Sequence, residues 1–242
     1  MTTDELPPEL ERVLRSAAEL QRLVPDAVLV GGSAAALHAG HRISFDHDHV
    51  LPDLAERYEQ VLDAVAASQG WATSVRASRP PFTIMGSLDG VEAGLRQLRR
   101  TAPLETMAVT LPGGAVVTVP TAEETLRVKA YLVVQRNQVR DYLDVVALAD
   151  ALGDAATGQV LAGLDSYYGD RSGEAEAVST ALVERLSRPA PRDLQVTHEL
   201  AHYKALDPRW HQWSAVVSAC RRLADLLLDG DQPGPAPHLE TR

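Results

Sequence analysis

The sequence has a single cysteine, Cys220, among its 242 residues. An internal disulfide is thereby excluded, and a reducing, cytoplasmic setting is the expectation. No apolar run is long enough to cross a bilayer. The opening stretch, MTTDELPPEL, is acidic and lacks the basic-then-apolar pattern of a signal peptide. Positive charge is in short supply as well. The formal net charge is −10, which argues against general nucleic-acid binding, because phosphate contacts depend on Lys and Arg. Two local strips stay basic: GLRQLRR at 94–100, and the set Arg127, Lys129, Arg136 and Arg140. No internal repeat is visible.

What is present is an ordinary globular composition, with length for one large domain or two small ones. Leu10, Val13, Leu14, Ala17 and Leu20 fall at helical spacing. AVLV (27–30) reads as a short buried strand ended by Gly31-Gly32, SAAALHAG (33–40) as a short helix, and SFDHDHVL (44–51) as a strand. Asp53 is placed to cap the helix LAERYEQVLDAVAASQG. From Trp71 to Pro120 the pattern is one of strands and hairpins, with Asp89-Gly90 and Pro112-Gly113-Gly114 as the turns. Thr121 and Glu124 form a capping-box pattern ahead of ETLRVKAYLVVQ, and Asn137 interrupts the helix before RDYLDVVALADALG. The chain beyond is helical with polar breaks. These features predict an α/β fold of the two-layer α+β kind, a mixed sheet with helices, over 1–152. A helical domain follows over 153–228, and a disordered Pro- and Gly-rich tail over 229–242.

The sharpest feature is HRISFDHDHV, residues 41–50. Alternate residues of a strand share a face, so Asp46 and Asp48 point one way and His47 and His49 the other. Two carboxylates about 4 Å apart repel by roughly 4 kcal/mol at an effective dielectric of about 20. Water, a cationic side chain or a metal ion must offset that. Convergent carboxylates suit a hard cation such as Mg²⁺ or Mn²⁺. Gly31-Gly32-Ser33 makes a tight strand-to-helix turn whose N–H groups and hydroxyl are placed to hold phosphate oxygens nearby. A carboxylate pair beside a phosphate nest is what metal-assisted phosphoryl or nucleotidyl transfer needs.

The run GGSAAALHAGHRISFDHDHV resembles the opening motif of the nucleotidyltransferase superfamily: a Gly-Gly-Ser turn, a short helix, then Asp-x-Asp on the next strand. The loop GHRISFD narrows the resemblance to the AbiEii/AbiGii-type toxin family. Lys129 in LRVKAYLVVQR and Arg140, Asp141 and Asp144 in RDYLDVV match that family's later motifs in order, so the resemblance covers roughly residues 25–150. It implies a nucleotidyltransferase-fold core with an added helical domain. It also implies NTP and Mg²⁺ as ligands, and a role as toxin of a toxin–antitoxin or phage-defence pair; some characterised members transfer nucleotides to tRNA 3′ ends. Carried over residue by residue, it implies that Asp46 and Asp48 hold the metal, that Lys129 meets nucleotide phosphates, and that Asp141 or Asp144 positions that lysine or the acceptor. Gly31, Gly32, Ser33, Arg42 and Ser44 would contact the nucleotide. The superfamily's third carboxylate sits on a neighbouring strand, where Glu92 is opposite the apolar Val91, Ala93 and Leu95.

The sequence departs from the pattern at His47 and His49, which stand where apolar residues are usual. They either hydrogen-bond within the covered face or, on a bulged strand, add metal ligands. A second reading is a degenerate member that binds nucleotide or a protein partner without turnover. A third rests on HELAH, 198–202, which matches the zinc-protease signature with His198 and His202 at i and i+4 and Glu199 between them. Its third ligand is not evident; His211 and Asp225 are the options, and the expectation is a helix with two surface histidines and no zinc.

Overall fold

The computed structural model describes residues 6–169 and 177–230. The acidic start and the tail from residue 231 onward lie outside them. Helix α1 (Pro8–Leu23) leads into β1 (Val28–Val30), α2 (Gly31–Ala39) and β2 (Asp46–Leu51). Then come α3 (Tyr58–Ala66), β3 (Trp71–Thr73), β4 (Thr83–Leu88), β5 (Val91–Gln97), and the pair β6 (Thr106–Thr110) and β7 (Val116–Pro120). The rest is helical: α4 (Ala122–Gln135), α5 (Val139–Leu152), α6 (Asp154–Ala162), α7 (Leu164–Tyr168), α8 (Val178–Ser187) and α9 (Trp213–Gly230). No described helix is long and apolar enough to cross a membrane.

The sheet is mixed, with strand order β1-β2-β5-β4-β3. Strands β2 and β5 run parallel, and the other neighbours antiparallel. Its two faces follow from period-2 alternation. Leu51, Ile84, Leu88 and Leu95 are buried on one face, beneath Leu20 of α1 and Tyr58, Val61 and Val65 of α3. Each such side chain contributes about 1.5–3 kcal/mol by leaving water. The opposite face carries Asp46, Asp48, Glu92 and Arg96, and stays open. The β6–β7 hairpin packs separately, against α1 and α2 through Val117, Val119 and Leu14.

The two expected hairpins form. Asp89 (φ 49°) and Gly90 (φ 77°) both take positive φ between β4 and β5, the requirement of a two-residue turn that matches strand twist. Asn137 (φ 53°) separates α4 from α5 as expected. Only half of the capping box forms. Thr121 Oγ1 accepts from the Glu124 N–H at 3.1 Å, but the Glu124 carboxylate turns to Arg100 and Arg127 instead. Several boundaries differ from expectation, α2 for one beginning at Gly31 rather than residue 33. Strand β2 begins at Asp46 rather than residue 44, and α3 begins at Tyr58 rather than just after Asp53. There the Asp53 carbonyl accepts from Glu56 and Arg57 N–H, and its carboxylate holds Arg57 Nε at 2.9 Å, closing a separate turn first.

Helices α4 and α5 share one apolar cluster with the helices after residue 152, including Leu126, Tyr142, Leu161, Leu182 and Leu223. The expected end of the first domain therefore falls inside a continuous helical core. Helix α9 runs through Gly230, two residues into the stretch expected to be tail.

Candidate functional site

Asp46 and Asp48 lie on β2 as the alternation requires, half-buried and side by side on the open face. Parallel register places Asp46 beside Glu92 and Asp48 beside Gly94 on β5. Glu92 is exposed. A Cβ at Gly94 would lie 2.3 Å from Asp48 Oδ1, so only glycine leaves room for that carboxylate. Arg96 Nε donates to Asp48 Oδ1 at 3.0 Å, and the Ser44 hydroxyl donates to Asp46 Oδ1 at 3.1 Å. These are the cationic and polar partners that offset the repulsion.

The carboxylates floor a cleft of about 600 Å³. Its far wall is α4 and α7, presenting Val128, Tyr131, Leu132 and Tyr168, with Tyr131 and Tyr168 stacked at 4.0 Å between centroids. Arg96, Arg99, Arg100, Arg136 and Arg140 line it too. Arg96, Arg100 and Arg136 are paired with Asp48, Glu124 and Asp141. Arg99 and Arg140 are exposed and make no ion pair among the described residues. An acidic chain thus concentrates guanidinium groups in one groove.

Gly31 (φ 78°) needs the left-handed conformation to turn β1 into α2. The Ser33 hydroxyl is buried and donates to the Asp46 backbone carbonyl at 2.6 Å. Lys129, Asp141 and Asp144 do not face the cleft. Asp144 is fully buried, where His41 Nε2 (2.8 Å), Arg42 Nε (2.8 Å), Arg42 Nη2 (3.0 Å) and Lys129 Nζ (2.6 Å) converge on it. Burial alone would raise the Asp144 carboxyl, but Arg42, Lys129 and His41 together hold it well below the ordinary carboxylate range. Burial also pulls the Lys129 ammonium down, against the attraction of Asp144. Asp141, buried, reaches the cleft only through Arg136, whose Nη2 lies 2.6 Å from Asp141 Oδ1.

His47 and His49 sit on the covered face of an unbulged strand, pointing away from the carboxylates. His47 Nε2 is 3.0 Å from Ser16 Oγ, and burial pushes the His47 imidazole down to about 4. The added-ligand alternative therefore fails on direction. HELAH does not form an α-helix. It folds as two short 3-10 turns, Leu194–His198 and Leu200–His202, so His198 and His202 do not share a helical face. His211 Nε2 is taken by the Leu206 carbonyl at 2.8 Å.

Among the described residues, no three His, Cys, Asp or Glu side chains cluster as a self-sufficient metal site. The pair fits Mg²⁺ in another way. That ion commonly takes one or two carboxylates and completes its shell with water and substrate phosphates, and the Gly94 gap leaves Asp48 free to lie over the sheet.

No protein-family model matches the chain. The heme uptake protein MmpL11 of Mycobacterium tuberculosis and the probable transport protein MmpL11 of Mycobacterium bovis are each 30% identical over 233 residues, covering 93% of this chain and 23% of theirs. The mycolic acid-containing lipids exporter MmpL11 of Mycolicibacterium smegmatis is 40% identical over 132 residues, 54% of this chain and 13% of its own. The chain thus spans about a quarter of the length of the first of these relatives. Among solved structures it is similar to an antigenic nucleotidyltransferase-like protein from Paracoccidioides brasiliensis: 20% identity, 72% and 92% of the two chains, TM-score 0.43. It is also similar to a candidate nucleotidyltransferase from H. pylori: 14% identity, 94% and 100%, TM-score 0.44.

The arginines of the cleft were visible in the sequence as basic strips. The aromatic wall was not, since Tyr131 and Tyr168 belong to helices that meet only in the fold. The buried role of His41 had no sequence signal beyond its place beside Arg42.

Proposed function

We propose that the chain is a divalent-metal-dependent nucleotidyltransferase, moving a nucleoside monophosphate from an NTP to an acceptor hydroxyl with release of pyrophosphate. The observation that carries this reading is the placement of Asp46 and Asp48 side by side on the floor of an arginine-lined cleft. Asp46 and Asp48 would hold Mg²⁺ or Mn²⁺; Glu92, exposed on the next strand, shares their face without completing a three-ligand cluster. When bound, the cation stabilises charge on the transferring phosphoryl group and offsets carboxylate repulsion. Arg96 and Arg99 neutralise triphosphate oxygens, and the wall of Val128, Tyr131 and Leu132 excludes water from one side of the reaction. Arg136 and Arg140 extend the positive strip along the cleft, which suits an RNA acceptor such as a tRNA 3′ end. The motif resemblance adds a cognate antitoxin as protein partner.

Incubation with each labelled NTP, Mg²⁺ and total RNA or protein extract tests this. Label appearing in one acceptor class supports transfer. Absence of label with every NTP and both extracts overturns it.

One observation favours a second reading: the matched relatives are named a probable transport protein and a heme uptake protein, and the likeness runs through 93% of this chain. On that reading the cleft binds nucleotide or a partner segment without turnover, as a module serving a transporter. Saturable nucleotide binding without label transfer would select it.

A further inference from the structure

The loop between α2 and β2 carries Arg42 and Ser44, which the family resemblance places among nucleotide contacts. Both are buried and turned to partners within the fold. The Arg42 side chain is 3% exposed, with Nε and Nη2 on Asp144 and Nη1 directed to the Ile43 carbonyl at 3.4 Å. The buried Ser44 hydroxyl is spent on Asp46. Both side chains press on the turn that begins α2. A Cβ at Gly32 would lie 2.6 Å from Ser44 Oγ and 2.8 Å from Arg42 Nη2. The glycine thus admits the loop against the turn, where a phosphate approach would need open space. The loop is clamped from the other side as well. Ile43 N–H donates to the Lys204 carbonyl at 2.8 Å, and Asp207 N–H to the His41 carbonyl at 2.7 Å.

A continuous path of contacts therefore runs from the helical core to one carboxylate. Asp144 on α5 grips the Arg42 fork; Arg42 and Ser44 lie together over Gly32; Ser44 holds Asp46 Oδ1, while Ser33 holds the backbone carbonyl of the same residue. A bidentate Arg–Asp pair fixes direction as well as distance. We infer that Arg42 and Ser44 are positioning residues, anchored on Asp144, that fix the Asp46 carboxylate for cation binding and do not themselves touch nucleotide. This rests on the reading of Asp46 and Asp48 as the cation pair. Hydrogen-bonded supports behind a metal-binding carboxylate commonly affect affinity by 10-fold or more.

The test is Mn²⁺ alone, titrated into the full chain and followed by electron paramagnetic resonance, alongside thermal melting. Wild type binds, and Asp46→Asn loses binding. Ser44→Ala binds about 10-fold more weakly at an unchanged melting temperature, and Ser44→Thr recovers much of the loss by restoring the hydroxyl. Arg42→Lys, which keeps charge but loses the fork, weakens binding in the same direction. Ser44→Ala with wild-type affinity, while Asp46→Asn abolishes binding, overturns the positioning role and leaves the cation reading intact. So does weakening that only tracks a lost melting temperature. No Mn²⁺ binding by wild type overturns the cation reading, and this inference with it.

Discussion

At the scale of single residues, the account turns on Asp46, Asp48 and the space around them. Asp46→Asn or Asp48→Asn keeps shape while removing charge. Either variant should lower transfer by about 100-fold or more, with the melting temperature held or raised in metal-free buffer as repulsion is relieved. Gly94→Ala is a subtler probe. Its methyl group would sit on Asp48 Oδ1 and 3.0 Å from Met85 Sδ, so the carboxylate must swing aside. Transfer should fall as in Asp48→Asn, with a stability loss of about 1–3 kcal/mol from overpacking; activity and chemical denaturation measured on one preparation check both. Wild-type activity in Gly94→Ala would show that the position of Asp48 does not matter. The carboxylate pair was legible in the sequence because strand alternation is a two-residue rule. The burial of Lys129 and Asp144 was not. A charged residue on a helix reads as solvated unless its partners are known, and here Arg42 and His41 lie about a hundred positions earlier.

At the scale of elements, α5 and the loop before β2 are tied together by the Asp144 cluster. The Asp144 carboxyl is depressed in the folded state. Its stabilising contribution is therefore fully present above the unfolded value of about 4 and is lost as pH falls through the lower folded value. Asp144→Ala leaves Arg42 and Lys129 buried without their anion and should cost about 3–5 kcal/mol at neutral pH. Denaturant unfolding across pH should show the gap between wild type and variant closing only in strong acid. A gap independent of pH would mean the cluster contributes packing and no charge. Elements with strong local rules were readable from sequence: Asp89-Gly90 as a turn, Asn137 as a break, β2 as a strand. HELAH was not, because helical spacing of two histidines says nothing about docking. Of residues 194–202 only Leu200 is buried, so no apolar stripe holds a full helix there. The start of α3 was misplaced for a similar reason: Asp53 has the chemistry of a cap but spends it on a tighter turn.

At the scale of the whole molecule, a net charge of −10 coexists with five arginines along one cleft. If RNA is the acceptor, Arg99 and Arg140 are its first contacts, since neither is held in an ion pair among the described residues. Reversing both to Glu should weaken RNA binding and reduce the salt slope by about two units, about one per phosphate contact. An unchanged slope would send the search to a non-RNA acceptor. Helices α4 and α7 supply the far wall of the cleft, so the site belongs to the assembled fold and to no single motif. Whether two carboxylates sharing a cation drive nucleotidyl transfer is decided by labelled-nucleotide transfer in wild type, Asp46→Asn and Asp48→Asn, each paired with thermal melting with and without Mg²⁺. Label transfer and Mg²⁺-dependent stabilisation are expected in wild type, with both lost in folded Asn variants. Full transfer by both Asn variants would contradict that role for the carboxylates.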